Sequence, residues 1–176
     1  MEKILDTERL TLRTLTLSDA SFMLELVNTP GWLEFIGDKK IRNEQDAIGY
    51  IQNGPLKSYS THGFGLWLVE LKGSGTPIGL CGLLKRDYLT APDIGFAFLP
   101  AHTGKGYALE SVTTTRDYAI KKFAISTLYG ITLPHNERSI KLLKKIGLSF
   151  DKRIQAPGDP TELHLYQTSL LNEPTG

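Results

Sequence analysis

Asp93-Ile94-Gly95-Phe96-Ala97-Phe98-Leu99-Pro100-Ala101-His102-Thr103-Gly104-Lys105-Gly106-Tyr107-Ala108 is the stretch that decides how this chain folds. An apolar strand runs into a proline turn, then a loop with two glycines, then a long amphipathic helix. A helix start carries unpaired N–H groups and the positive end of the macrodipole. Its effect on one anion is about 0.3–1 kcal/mol when exposed and up to about 2 when partly buried. Gly104 and Gly106 let a ligand approach the backbone with no side chain in the way, and Lys105 adds a full positive charge. The order predicts a cradle for phosphate groups.

Two common phosphate motifs are excluded. A Walker loop needs Ser or Thr after Gly-Lys and another glycine five positions before the second one. Here Gly106 follows Lys105, and Leu99 stands five before Gly104. A dinucleotide fingerprint needs a third glycine three residues after Gly106, where Leu109 stands.

A chain of 176 residues predicts one domain, 1–176 with its core at about 7–168, burying about 70% of its extended-chain surface. No apolar run is long enough to cross a bilayer, so no membrane partner is expected. The opening Met1–Arg9 is charged and lacks the apolar core of a signal peptide, and Cys81 is the one cysteine. Both point to a cytoplasmic protein without disulfides. Charge is unevenly spread. Residues 101–153 hold 10 of the 20 Lys and Arg but only 4 of the 19 Asp and Glu, a net +6, while the remainder carries −5. The loop therefore sits in the basic segment, as a small anionic ligand requires. The overall balance is close to neutral and no recognition motif is present, so a nucleic-acid partner is not expected.

Outward from the loop, the periodicities predict an ordered series of elements. Arg9–Arg13 alternates as a half-buried strand. A helix follows, capped at Thr16 or Ser18 and stopped at Pro30-Gly31; a second begins after Asn43 and stops near Asn53-Gly54-Pro55. Phe64–Leu71 and Ile78–Leu84 read as a hairpin, and Asp93–Leu99 as a third strand. After the loop, Ala108, Val112, Thr115, Ala119 and Phe123 mark the inward face of a helix. Leu128–Thr132, a basic helix over Asn136–Ile146, and strands Leu148–Ile154 and Leu163–Thr168 complete the chain. Without regular βα alternation, this order predicts a single α/β domain: a mixed, mostly antiparallel twisted sheet of about seven strands with helices on both faces.

The element order, the loop Thr103-Gly104-Lys105-Gly106-Tyr107-Ala108 with Glu110 after it, and the run Asn136-Glu137-Arg138-Ser139 continuing to Lys145-Ile146-Gly147-Leu148 resemble the GNAT superfamily of N-acetyltransferases. The opening Thr7-Glu8-Arg9-Leu10-Thr11-Leu12-Arg13 resembles its RimJ/RimL branch, which acetylates ribosomal-protein N-termini. The resemblance implies acetyl-CoA as cosubstrate, held where two parallel strands splay apart. It implies that the pantetheine arm pairs with the backbone of Phe96, Ala97 and Phe98. The amides of Thr103, Gly104, Lys105, Gly106, Tyr107 and Ala108 would hold the pyrophosphate, with Asn136 and Ser139 near the thioester. Two positions depart from the family pattern. Thr103 stands where Arg, Gln or Trp is usual, and Leu143 stands where many relatives place the tyrosine that protonates the leaving thiolate. Ser139 is the replacement candidate by analogy.

The implied reaction is direct attack of a neutral amine on the thioester. A lysine amine, with pKa near ~10.4, is almost wholly protonated at neutral pH, whereas an α-amine near ~7.7–8 is partly free. A site without a strong base thus favours an α-amine. Asp93 is the candidate base or substrate anchor. Strand alternation places it on one face with the small Gly95 and Ala97, which leaves room beside it; the competing reading is an exposed carboxylate at a strand start. Glu110 reads as a first-turn residue complementing the helix dipole, and His135 as a surface group. Lys105, Lys141 and Lys144 read as cofactor-facing or simply solvated, and Trp32, Phe35, Tyr59 and Trp67 as acceptor pocket or core. His62, His102 and His164 have no metal-ligand spacing, so no metal is expected. The partners expected are acetyl-CoA and an amine acceptor, with the chain a monomer or homodimer. A small-molecule acetyltransferase and an acyl-CoA-binding sensor are the alternatives.

Overall fold

The computed structural model describes residues 1–169; residues 170–176, the end of the expected 1–176 unit, lie outside them. Among the described residues eight strands form one sheet: β1 (Lys3–Asp6), β2 (Leu10–Arg13), β3 (Leu66–Leu71), β4 (Pro77–Leu84), β5 (Asp93–Phe98), β6 (Thr127–Thr132), β7 (Ser149–Ile154) and β8 (Leu163–Ser169). Their spatial order is β1-β2-β3-β4-β5-β6-β8-β7. Every neighbouring pair is antiparallel except β5–β6, whose crossover is a helix. The strand beyond the expected seven is β1. It is too short and too polar to show a pattern, and it forms because β2 offers it an edge, with Leu5 opposite Leu12.

Leu68 and Leu80 point to the face covered by α1 (Ala20–Val27), α2 (Pro30–Phe35) and α3 (Glu44–Ile51), which contribute Met23, Leu26, Trp32, Ala47 and Ile51. On the other face, Leu10, Leu12, Trp67, Val69 and Cys81 pack against α5 (Tyr107–Phe123) and α6 (Glu137–Lys145), through Val112, Ala119 and Leu143. The alternation read from the sequence is thus the alternation between two helical layers.

Two expected helix stops behave differently. Pro30-Gly31 begins α2 rather than ending its predecessor: Thr29 caps it by accepting from the Trp32 N–H, and Pro30 takes the first position, where an N–H is not needed. Asn53-Gly54-Pro55 does not stop the chain either. A π turn over Gln52–Leu56 carries α3 directly into α4 (Lys57–His62), which ends at Gly63 with φ +76°. The wider turn passes the proline, which cannot donate to the helical ladder.

Backbone approach is closest at the centre of the sheet. A Cβ on Gly82 would lie 2.0 Å from the Gly65 carbonyl oxygen and 2.8 Å from the Leu66 Cα, both backbone atoms. Gly82→Ala is expected to cost about 1–3 kcal/mol, read as a lower urea midpoint with an unchanged slope.

Candidate active site

Strands β5 and β6 meet at a single rung. Asp93 is opposite Tyr129, and the Tyr129 N–H donates to the Pro92 carbonyl at 3.0 Å. Beyond it they part, because each is held by its other neighbour: β5 by β4 along its whole length, β6 by β8 along its whole length. The Leu99 N–H donates to the Ile78 carbonyl on the β4 side, whereas the Pro92 carbonyl faces β6. Backbone direction alternates along a strand. The N–H and C=O groups of Ala97 therefore face β4, and those of Phe96 and Phe98 face the gap. Two of the three residues expected to offer backbone to a ligand have it available, and Ala97 does not.

At the far end of β5 the chain makes a tight turn over Pro100–His102, closed by the Thr103 hydroxyl donating to the Pro100 carbonyl at 2.9 Å. Gly104 and Gly106 follow with φ +74° and +83°, the left-handed region that side chains rarely adopt. Gly106 is the N-cap of α5, and the Glu110 N–H is the first to bond back, to the Gly106 carbonyl at 3.0 Å. Among the described residues no side chain caps α5, which leaves the amides of its first turn without a protein acceptor. Gly104 has open space around the position of a Cβ, and Lys105 is exposed.

This loop is braced from behind by the turn between β1 and β2. The Glu110 carboxylate accepts from the Thr7 hydroxyl (2.5 Å), the Arg9 N–H (2.9 Å) and Arg9 Nε (2.7 Å). Arg9 Nη1 donates to the Lys105 carbonyl at 2.9 Å, and the guanidinium lies 4.5 Å from the Tyr107 ring centroid. Burial raises the Glu110 pKa, but these donors and the Arg9 charge outweigh it and hold the carboxyl below its usual value. Glu110 is thus more than a dipole partner. The sequence carries both halves of this contact, but nothing in it joins residues a hundred positions apart.

The chain matches the family model described as "Acetyltransferase (GNAT) domain" over residues 9–149. It belongs to the GNAT acetyltransferase family. Its activity is acetyl-CoA-dependent N-acetyl transfer. The chain is 30% identical to "Uncharacterized N-acetyltransferase p20" of Bacillus licheniformis, over 83% of this chain and 81% of that one. Solved folds agree. An acetyltransferase of Agrobacterium tumefaciens superposes with TM-score 0.80 at 24% identity, covering 96% of this chain and 94% of the other. RimL, the ribosomal L7/L12 alpha-N-protein acetyltransferase in complex with coenzyme A, superposes with TM-score 0.81 at 15% identity, covering 96% and 98%.

Within this GNAT fold, α6 brings Asn136 and Ser139 to the end of β6. The Asn136 side chain is spent on capping, accepting from the Ser139 N–H at 3.2 Å. Among the described residues the Ser139 hydroxyl has no protein hydrogen-bond partner. Leu143 is 1% exposed and is packed on Gly130, where a Cβ would lie 2.6 Å from it, so this position anchors α6 to the sheet. His135 and Phe35 approach with ring centroids 5.5 Å apart, which sets α2 beside the start of α6; Glu34 lies 3.9 Å from His135. Trp32 and Trp67 are core residues, and Tyr59 ties strands together, donating to the Leu66 carbonyl and accepting from the Leu15 N–H. Lys141 and Lys144 are exposed.

Asp93 is neither exposed nor in a roomy pocket. It is 2% exposed and ion-paired with Arg86 at 2.9 Å, and the space beside Gly95 is filled by Leu66 and Leu84. Burial pushes its pKa up against the pull of Arg86. The pair pins β5 at the rung where the strands begin to part. Cys81 is fully buried and burial pushes its thiol up to about 12, which leaves it unfit to carry an acyl group. Among the described residues, no group of three or more His, Cys, Asp or Glu is arranged to hold a metal ion, and no helix is long and apolar enough to cross a membrane.

Glu110→Gln tests the brace. It is expected to lower unfolding stability at pH 7 by about 1–2 kcal/mol. A carboxyl held low contributes fully above its unfolded value of 4.5, and the contribution is lost as pH falls through the lowered folded value. The stability gap between parent and variant should therefore narrow below pH 4.5 in denaturant titrations.

Proposed function

We propose that this N-acetyltransferase acts on the α-amine of a protein N-terminus, in the manner of the RimJ/RimL branch. The observation that carries the cofactor side is the unpaired edge of β5, which leads without interruption into the left-handed glycine loop. Acetyl-CoA supplies the acetyl group as an activated thioester. The backbone of Phe96 and Phe98 would pair with its pantetheine arm, as an added strand pairs with an open edge. The amides from Thr103 through Ala108 would hold its diphosphate, with the charge of Lys105 alongside. Asn136 fixes the first turn of α6, and the free Ser139 hydroxyl donates to the departing sulfur.

The acceptor assignment is supported by the fate of Asp93, the carboxylate expected to serve as base. Asp93 is committed to Arg86, so it acts as a positioning residue at the point where the strands part rather than as a proton acceptor. An α-amine, partly neutral near pH 7, needs the least help. RimL, whose fold this chain shares, is named for such an acceptor. Phe35, Glu34 and His135, which lie together at the start of α6, would offer an apolar surface and an anionic group to a chain that begins with an ammonium.

Two experiments test the reading. Thiol release from acetyl-CoA should be fastest with N-terminal peptides of ribosomal proteins. Faster turnover with a polyamine, a free amino acid or an aminoglycoside would assign a small-molecule acceptor, and CoA binding with no turnover on any amine would assign a sensor. Ser139→Ala should lower kcat by about 10-fold to 100-fold while leaving the Kd for CoA within about twofold, measured by steady-state kinetics and calorimetry.

A further inference from the structure

We infer that Arg9 is the positioning residue of the diphosphate cradle: it aims the Gly106 N–H by holding the carbonyl at the other end of the same peptide. This rests on the acetyl-CoA reading above. In a trans peptide the C=O and the next N–H point in opposite directions, and the chain contains no cis bonds among the described residues. Arg9 Nη1 holds the Lys105 carbonyl at 2.9 Å. The Gly106 N–H therefore points away from the Arg9 donor, and it has no hydrogen-bond acceptor among the described residues.

A lone arginine would be too mobile for this, and Arg9 is held at several points. Its N–H and Nε both donate to the Glu110 carboxylate, and its carbonyl accepts from the Lys72 N–H at 2.9 Å. Its Cζ lies over the Tyr107 ring, 4.5 Å from the centroid. The fit is close: a Cβ on Gly106 would lie 3.2 Å from Arg9 Nη2. Two glycines at positive φ have many alternative conformations, and each would aim the loop amides differently. The guanidinium fork engages the carbonyl of one loop residue and the carboxylate of a helix residue together, and so removes that freedom before any ligand arrives. Lysine, with one point charge, cannot hold both.

The test compares ligands with and without the diphosphate, using the full chain and the variants Arg9→Lys and Arg9→Met. Calorimetry with CoA reads the cradle, and the KM for S-acetylpantetheine, which lacks the diphosphate, reads the rest of the cleft. Both variants are expected to bind CoA about tenfold or more weakly, with the KM for S-acetylpantetheine within about twofold of the parent. Full CoA affinity in Arg9→Lys would overturn the inference, since charge alone would then suffice. Equal losses for both ligands would also overturn it, because Arg9 would then support the fold in general. A parent protein that fails to bind CoA would overturn the acetyl-CoA reading itself, and is recognised in the first titration.

Discussion

The structure depends on the parting of two parallel strands after one shared rung. Backbone N–H and C=O groups in a sheet interior are almost always paired, and leaving them bare in an apolar setting is costly. Here β5 and β6 are each tied along one edge to an antiparallel neighbour and released along the other. The Arg86–Asp93 pair holds β5 at the vertex, and Leu143 against Gly130 holds α6 onto β6 on the far side of the gap. The result is a short length of strand edge in the middle of a sheet, open to an extended ligand.

The second constraint is the link between the N-terminal hairpin and the helix after the glycine loop. Thr7 and Arg9 come from one end of the sheet in sequence, Glu110 from the other side of the loop, and they converge on a single carboxylate. The loop has glycines because its backbone must turn left-handed and stay bare. Glycines alone would leave it floppy, and the hairpin supplies the stiffness. A cradle built from main-chain donors is precise only when something else fixes the main chain.

How far the sequence carries the reading differs from place to place. The turn at Gly104 and Gly106 was legible because glycine takes positive φ without strain, and the alternation of Asp93–Phe98 placed its side chains on the right faces. Pro30-Gly31 and Asn53-Gly54-Pro55 were misleading, because proline at a helix start and proline in a π turn look the same in sequence as proline at a helix end. Asp93 looked like a carboxylate with space around it. Its neighbours Leu66 and Leu84, which fill that space, come from other strands.

Taken alone, the amino-acid order determined seven of the eight strands and the longer helices, the two-layered burial, the glycine turn and the resemblance to an acetyl-transferring family, because periodicity and glycine conformation are local properties. Only the tertiary structure decided that Phe96 and Phe98 face the gap while Ala97 does not, that Asp93 is locked to Arg86, and that Arg9 stands behind Lys105. Those facts depend on register and on contacts across many residues, which arise when separate elements compete for the same space and the same hydrogen-bond partners.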